Sequence, residues 1–350
     1  MTLLEILRKA IEKDASDVFV IAGLPVTYKV GGAQDRDDTG IMKPADIIPL
    51  VDEIYETARR SRINLDNGTD DDFSFSIPDL GRFRVNVFRQ RGSVSAVIRV
   101  IKFGIPDPEK LGIPQNVLSL ADNMTGLVLV AGSAGSGKST TLACMIDRIN
   151  SSREAHIITM EDPIEYLHHH RKSIVSQREV FVDTPGYLDS LRSALRESPD
   201  VILLGEMRDY ETISAAITAA ETGVLLFSTL HTSSAANTIN RIVDVFPANQ
   251  QVQVRGQIAQ LIRGIVCQQL VMTEAGQLVP VFEVLKSTPA VQNMIREGKL
   301  HQLESVMQTA QAAGMITMDT SLLNLYEQGA ISKETLLASC ANYELMSKKV

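Results

Sequence analysis

The sequence predicts an α/β chain in two parts. A small α+β domain occupies residues 1–101, a linker 102–114, and a larger α/β domain with a parallel sheet 115–350. Length is the first observation behind this reading, since 350 residues correspond to about two domains at roughly 150 residues each. The second is a change of apolar pattern, from alternation in the first hundred residues to short continuous runs later. The third lies between these patterns, where Gly104, Pro106, Pro108, Gly112 and Pro114 crowd the segment Lys102–Pro114 and mark a connector.

Leu3, Leu4, Ile6, Leu7, Ala10 and Ile11 recur at helical spacing behind Thr2, which suits an N-cap. A strand is expected over Asp17–Ala22, followed by VTYKV and by the polar, Gly-rich stretch GGAQDRDDTG, read as a loop. A helix should run from near Pro44 to Arg60. Strands beginning at Asp72, Arg82 and Ser93, punctuated by Gly81 and Gly92, read as an antiparallel meander with one solvated face. Beyond the connector come GLVLVA, a helix from Lys138, HIITM, VILLG and VLLFST. Runs of this kind suit strands covered on both faces by crossover helices. After Ser233 the chain reads as mostly helical, broken by a hairpin from CQQLVM to VPVFEVL that turns at Glu274 to Gly276.

Composition excludes several classes. With 34 basic and 42 acidic residues the formal net charge is −8, which argues against a protein that neutralises nucleic-acid phosphates. Apolar residues at 44 % and charged residues at 22 % exclude wholesale disorder. Aromatics are 5 % with no Trp, so the cores must be aliphatic. Cys144, Cys267 and Cys340 form no CxxC pair, which leaves no zinc knuckle and points to a reducing compartment. Met1 leads into a segment carrying Glu5, Arg8 and Lys9 rather than a signal peptide. No run approaches the roughly 18 apolar residues of a membrane span. A cytoplasmic location is therefore expected, in solution or docked at a surface.

Gly132-Ser133-Ala134-Gly135-Ser136-Gly137-Lys138-Ser139, followed by Thr140, is a complete GxxxxGK[ST] motif between an apolar strand and a helix. Its glycines let backbone N–H groups point at phosphate oxygens, and the helix N-terminus adds positive potential. Lys138 is placed to reach the β- and γ-phosphates and Ser139 to hold Mg²⁺. Asp200-Val-Ile-Leu-Leu-Gly-Glu206 supplies a buried strand ending near a carboxylate. Gly205 stands where an Asp is usual, so Glu206 must serve as base for the attacking water or as a water-mediated Mg²⁺ contact. Glu161-Asp162-Pro163-Ile164-Glu165 places a second acidic cluster at a strand's C-terminal end, where open α/β sheets bind ligands. Thr229-Leu-His231-Thr232 ends another core strand and can sense the γ-phosphate. His168 to His170 reads as a solvated triplet rather than a metal site.

GSAGSGKST, ITMEDPIEY, ALRESPDVILLGEMRD and STLHTSSA, in this order, resemble the Walker A, Asp box, Walker B and His box of the secretion-type ATPases. These are the motors of type II secretion and type IV pili. The similarity extends from ASDVFVIAGLP through GRFRVNVF to PAVQNMIREGKLHQL and GMITMDTSLLNLYEQGAIS. It implies a PAS-like N-terminal domain, a RecA-like ATPase domain, a homohexamer, and ATP and Mg²⁺ as nucleotide and metal. It also implies that Arg84 and Arg99, with Arg82 and Arg89 as less well-matched candidates, approach the γ-phosphate. The sequence departs from the family pattern at Phe19, Ser133-Ala134, Val224 and Gly31–Asp38, none of which removes a phosphate, metal or base group. The zinc insertion and extra N-terminal domain of assembly motors are missing, which favours a motor of pilus retraction. Its partners would be the pilus machinery and an inner-membrane, PilC-like platform protein, with no nucleic acid and no zinc. A PilU-like accessory retraction ATPase and a pilus-assembly or type II secretion ATPase are the alternatives. PAVQNMIREGKLHQL reads either as a packed amphipathic helix or as a functional lever.

Overall fold

The computed structural model describes residues 1–38, 40–101 and 104–350, so Lys102, where the expected linker begins, lies outside the described residues. The chain divides into two compact units: Met1–Gly104 with Glu165–Leu167, and Ile105–Ile164 with His168–Val350.

The first unit is built on a six-stranded sheet in the order β3-β2-β1-β6-β5-β4. Its strands are β1 (Asp17–Val20), β2 (Thr27–Val30), β3 (Ala33–Arg36), β4 (Asp71–Ile77), β5 (Gly81–Gln90) and β6 (Ser93–Ile101), all paired antiparallel. Side chains alternate across a pleated strand, so Phe83, Val85 and Val87 of β5 are buried while Arg82, Arg84 and Asn86 point the other way. Helices α1 (Leu3–Glu12) and α2 (Pro44–Thr57) cover the apolar face with Leu3, Ile6, Leu7, Ile47, Val51 and Ile54. Each such side chain contributes about 1.5–3 kcal/mol when fully buried. Thr2 caps α1 as expected: its hydroxyl accepts from the Glu5 N–H at 3.3 Å, and its own N–H donates to Glu5 Oε2 at 2.8 Å.

One stretch differs from expectation. GGAQDRDDTG contains a strand, β3, rather than only a loop. Its residues are too polar to give an apolar alternation, but β3 is an edge strand, where exposed charge is tolerated and discourages further pairing. Lys13–Asp35 and Lys9–Asp37 ion pairs, at 2.5 and 2.6 Å, tie this edge to α1 and the residue after it.

The second unit carries a seven-stranded mixed sheet in the order β13-β12-β7-β11-β10-β8-β9. The strands are β7 (Gly126–Ala131), β8 (His156–Glu161), β9 (Ile174–Glu179), β10 (Val201–Leu204), β11 (Leu225–Leu230), β12 (Ile262–Met272) and β13 (Leu278–Lys286). Within this sheet only the β12–β13 pair is antiparallel among the described strands. The crossovers include α3 (Lys138–Ser152), α4 (Tyr187–Ala194), α5 (Tyr210–Glu221), α6 (Ala235–Asp244) and α7 (Gln251–Leu261). Every residue of β7 is buried, with Leu127, Leu129 and Ala131 in one core and Val128 and Val130 in another on the opposite face. This two-sided burial explains why the strand reads as an unbroken apolar run. Beyond the sheet, α8 (Pro289–Glu297) packs through Val291 and Ile295, and α9 (Met318–Glu327) through Met318 and Leu322. Among the described residues no helix is long and apolar enough to cross a membrane.

Three further differences from expectation have physical causes. β9 lies in the polar segment SIVSQRE and forms the sheet edge, so it has little apolar pattern to display. β12 begins at Ile262, directly after α7, in a stretch expected to be helical. Gly264 allows this close packing, because a Cβ there would lie 2.5 Å from Leu120 Cδ2. His168 is not solvated: its Nδ1 is enclosed without a hydrogen-bond partner among the described residues, and burial pushes its pKa down to about 4. His169 and His170 are exposed.

Candidate active site

The loop between β7 and α3 wraps through glycines in conformations that other residues avoid. Gly132 has φ of 151° and Gly137 φ of 86°. A Cβ at Gly132 would meet the Gln268 carbonyl oxygen at 2.3 Å and Ser136 Oγ at 2.5 Å. A Cβ at Gly137 would meet Gln268 Nε2 at 2.8 Å. The loop therefore closes as it does because both ends lack a side chain. Gly137 caps α3 without any side-chain acceptor, so the first N–H groups of the helix remain available to an anion.

Lys138 is buried and donates from Nζ to the carbonyls of Gly132 and Ser133, both at 2.8 Å. Its ammonium is thus held over the loop rather than extended into solvent. Ser133, Ala134 and Gly135 are exposed at the tip, and Ser139 and Thr140 are half-buried on the first turn of α3. Ser136 is buried, with its Oγ unpartnered among the described residues. A buried orphan hydroxyl inside a ring of N–H groups, beside a fixed cation, fits a polyphosphate oxygen. Ser139 presents the hard oxygen that Mg²⁺ prefers.

Gln268 was not legible as a site residue. It lies on β12 one position beyond the Cys267–Ala131 register pair, level with Gly132, and is 4 % exposed. Its Oε1 accepts from Thr141 Oγ1 at 2.7 Å. One residue therefore touches both glycine ends of the loop and the first turn of the following helix. Nothing in CQQLVM signals this, because the contact arises only from the parallel pairing of β12 with β7.

The acidic residues gather at the C-terminal ends of the neighbouring strands. Glu206 lies two residues beyond β10, with its side chain 13 % exposed. Its Oε1 is 2.5 Å from an Arg208 guanidinium nitrogen, and its Oε2 is 3.8 Å from His231 Nε2. The expected base and the expected sensor are thus brought together, with Arg208 added to them. Thr229 Oγ1 donates to the Gly205 carbonyl at 2.6 Å and ties the end of β11 to this turn. Glu161 ends β8, and its Oε1 accepts from Thr159 Oγ1 at 2.7 Å and Gln177 Nε2 at 3.3 Å. The missed strand β9 thereby supplies a positioning group for one of the expected carboxylates. A cavity of about 910 Å³, lined by Gly132, Ser133, His231 and Gln268 among others, opens beside the loop.

In the N-terminal unit, Arg84 and Arg99 are directly opposite each other across β5 and β6. Like charges in that register repel. Each is offset by a carboxylate: Asp72 takes a two-pronged bond from Arg84, at 3.0 and 2.6 Å, and Asp17 accepts from Arg99 Nε at 3.0 Å. Arg82 donates to Ser76 Oγ at 3.2 Å and Arg89 to the Leu65 carbonyl at 3.3 Å.

The chain is 43 % identical over 334 residues to the type IV pilus retraction ATPase PilT of Pseudomonas aeruginosa, covering 95 % of this chain and 96 % of that one. It is 40 % identical to the type IV pilus ATPase PilU of the same organism, covering 95 % and 87 %. Among solved structures, the pilus retraction motor PilT with bound ADP superposes with a TM-score of 0.90 at 45 % identity, covering 99 % of each chain. The family model described as "Type II/IV secretion system protein" matches residues 2–341, and the chain belongs to that family.

Proposed function

We propose that this chain is an ATP-hydrolysing motor that powers type IV pilus retraction. The observation that carries the reading is one sheet holding both a phosphate-shaped loop at 132–139 and a carboxylate, Glu206, at a neighbouring strand end. The loop N–H groups and Lys138 bind the β- and γ-phosphates, with Ser133 and Ala134 at the tip and Ser136, Ser139 and Thr140 lining the cradle. Ser139 and Glu206 are the residues that would hold Mg²⁺, which would supply neutralisation of the phosphate charge.

Glu206 accepts the proton of the attacking water, and the Arg208 and His231 contacts, one to each oxygen, orient its carboxylate. Glu161, fixed by Thr159 and Gln177, orders the same water shell. His231, on the segment after β11, reports the state of the γ-phosphate. Arg84 and Arg99 supply fixed cations to that phosphate, where such groups are worth about 10³–10⁵ in rate in other NTPases. In this reading residues 1–101 form a PAS-like domain, 102–114 a linker and 115–350 a RecA-like ATPase domain. Six copies assemble into a ring at the inner face of the cytoplasmic membrane, acting on a PilC-like platform protein.

The test combines chemistry and physiology. Lys138→Ala should abolish ATP binding. Glu206→Gln should retain binding while turnover falls by about 10²-fold or more, the scale of a lost general base. Deleting the gene should give cells with excess surface pili and no twitching. Bald cells would instead identify an assembly motor. The relationship to PilU supports a second reading, an accessory retraction ATPase, under which deletion would weaken twitching only against high load.

A further inference from the structure

The turn after β10 is faced by a second polar group that the four motifs do not include. P-loop enzymes ordinarily place an aspartate near the end of this strand, where this chain has Gly205. A Cβ built at Gly205 would lie 2.8 Å from the Tyr187 hydroxyl oxygen, 3.0 Å from the Met160 carbonyl oxygen and 3.3 Å from Tyr187 Cε1. The phenol therefore occupies the space that an aspartate side chain would enter. Its hydroxyl sits against the backbone of the residue that immediately precedes Glu206.

Tyr187 is the first residue of α4 and is partly buried. Its hydroxyl makes no hydrogen bond to a described residue and is not one of the fully enclosed orphan atoms, so water reaches it. A tyrosine hydroxyl in such a place normally finds one, and the groups whose charges reach it are Glu206, Asp162, Glu161 and Arg208. None of these is bonded to it directly, so water is the remaining acceptor. We propose that Tyr187 is a water-positioning residue, whose O–H donates to the water that Glu206 deprotonates. The proposal rests on the ATPase reading above.

Burial first, and then the negative charge of Glu206, hold the phenol protonated far above its ordinary range. Tyr187 is thus a donor throughout turnover and never the base. The water proton passes to the Glu206 carboxylate, and the water oxygen bonds to the γ-phosphorus. The bond from that phosphorus to the β–γ bridging oxygen breaks, and its electron pair leaves with ADP. The tyrosine proton stays where it is, and the hydroxyl fixes the direction from which the water approaches.

The experiment measures ATP hydrolysis, ADP affinity and thermal midpoint on the full chain for wild type, Tyr187→Phe and Glu206→Gln. Removal of one oxygen from Tyr187 should lower kcat about ten-fold, the scale of one well-placed hydrogen bond. KM for ATP, ADP affinity and thermal midpoint should stay at wild-type values. Unchanged kcat in Tyr187→Phe overturns the proposal. A fall in kcat accompanied by loss of ADP affinity or of thermal midpoint also overturns it, because that pattern belongs to packing. Inactive Glu206→Gln beside fully active Tyr187→Phe removes the tyrosine alone. Wild-type hydrolysis by Glu206→Gln removes the base assignment and this inference together.

Discussion

Gln268 shows how a single amide can set the shape of a phosphate loop. Its side chain bonds Thr141 and abuts Gly137, and its carbonyl abuts Gly132. Gln268→Leu keeps the volume but leaves the Thr141 hydroxyl without its acceptor, at about 1–3 kcal/mol. The expected result is nucleotide affinity weakened by about ten-fold or more, read by ADP titration. Phe181 gives a contrasting case. It is 71 % exposed and sits at φ of 66°, a left-handed conformation that a bulky side chain resists. Phe181→Gly should raise stability by about 1 kcal/mol, since strain of this kind costs roughly 1–3 kcal/mol. His168 carries a pH dependence with a definite sign. Its folded pKa of about 4 lies below its ordinary 6.5, so its contribution is present above pH 6.5 and is lost as pH falls through 4. Thermal midpoints across that window should fall less steeply in His168→Asn than in wild type.

At the level of elements, Glu283 of β13 joins two helix starts. Its carboxyl accepts from the N–H of Ala235, first in α6, at 2.7 Å and from that of Met318, first in α9, at 3.4 Å. Burial raises the pKa of this carboxyl. Glu283→Ala should lower stability by about 1–3 kcal/mol, because both N–H groups lose a buried acceptor. The same level shows what the sequence made legible. β7, β8, β10 and β11 announced themselves because burial on both faces demands unbroken apolar runs, and the glycine loop because its chemistry demands one spacing. β3 and β9 stayed hidden because edge strands carry polar residues. The start of β12 stayed hidden because IRGIV fits a helix or a strand equally well. With β9 and β12 went Gln177 and Gln268, since a glutamine acquires a role only from the strand that stands beside it. Tyr187 was missed for a related reason: a residue at a helix start reaches Gly205 through the fold and not through any spacing.

For the molecule as a whole, the decisive feature is that the apolar core of residues 3–98 shares no member with the cores around β7. The two cores around β7 flank one sheet and belong to one unit, whereas units with no shared core unfold as separate cooperative units. Calorimetry should resolve two transitions. ADP at 100 times its dissociation constant should raise the stability of the P-loop unit by about 2.7 kcal/mol. A single transition unaffected by ADP would contradict this division.

The facing pair Arg84 and Arg99 puts two guanidiniums on one rank of the N-terminal sheet. Asp72 and Asp17 offset these charges only in part if the pair receives a phosphate as proposed, and in that case sulfate should stabilise this unit more than chloride at equal ionic strength. The excess should vanish in the double variant Arg84→Ala, Arg99→Ala, which keeps whatever general salting effect sulfate exerts on any protein. If the pair meets the γ-phosphate as proposed, the motor would feel the charge of its fuel separately from the adenine that carries it.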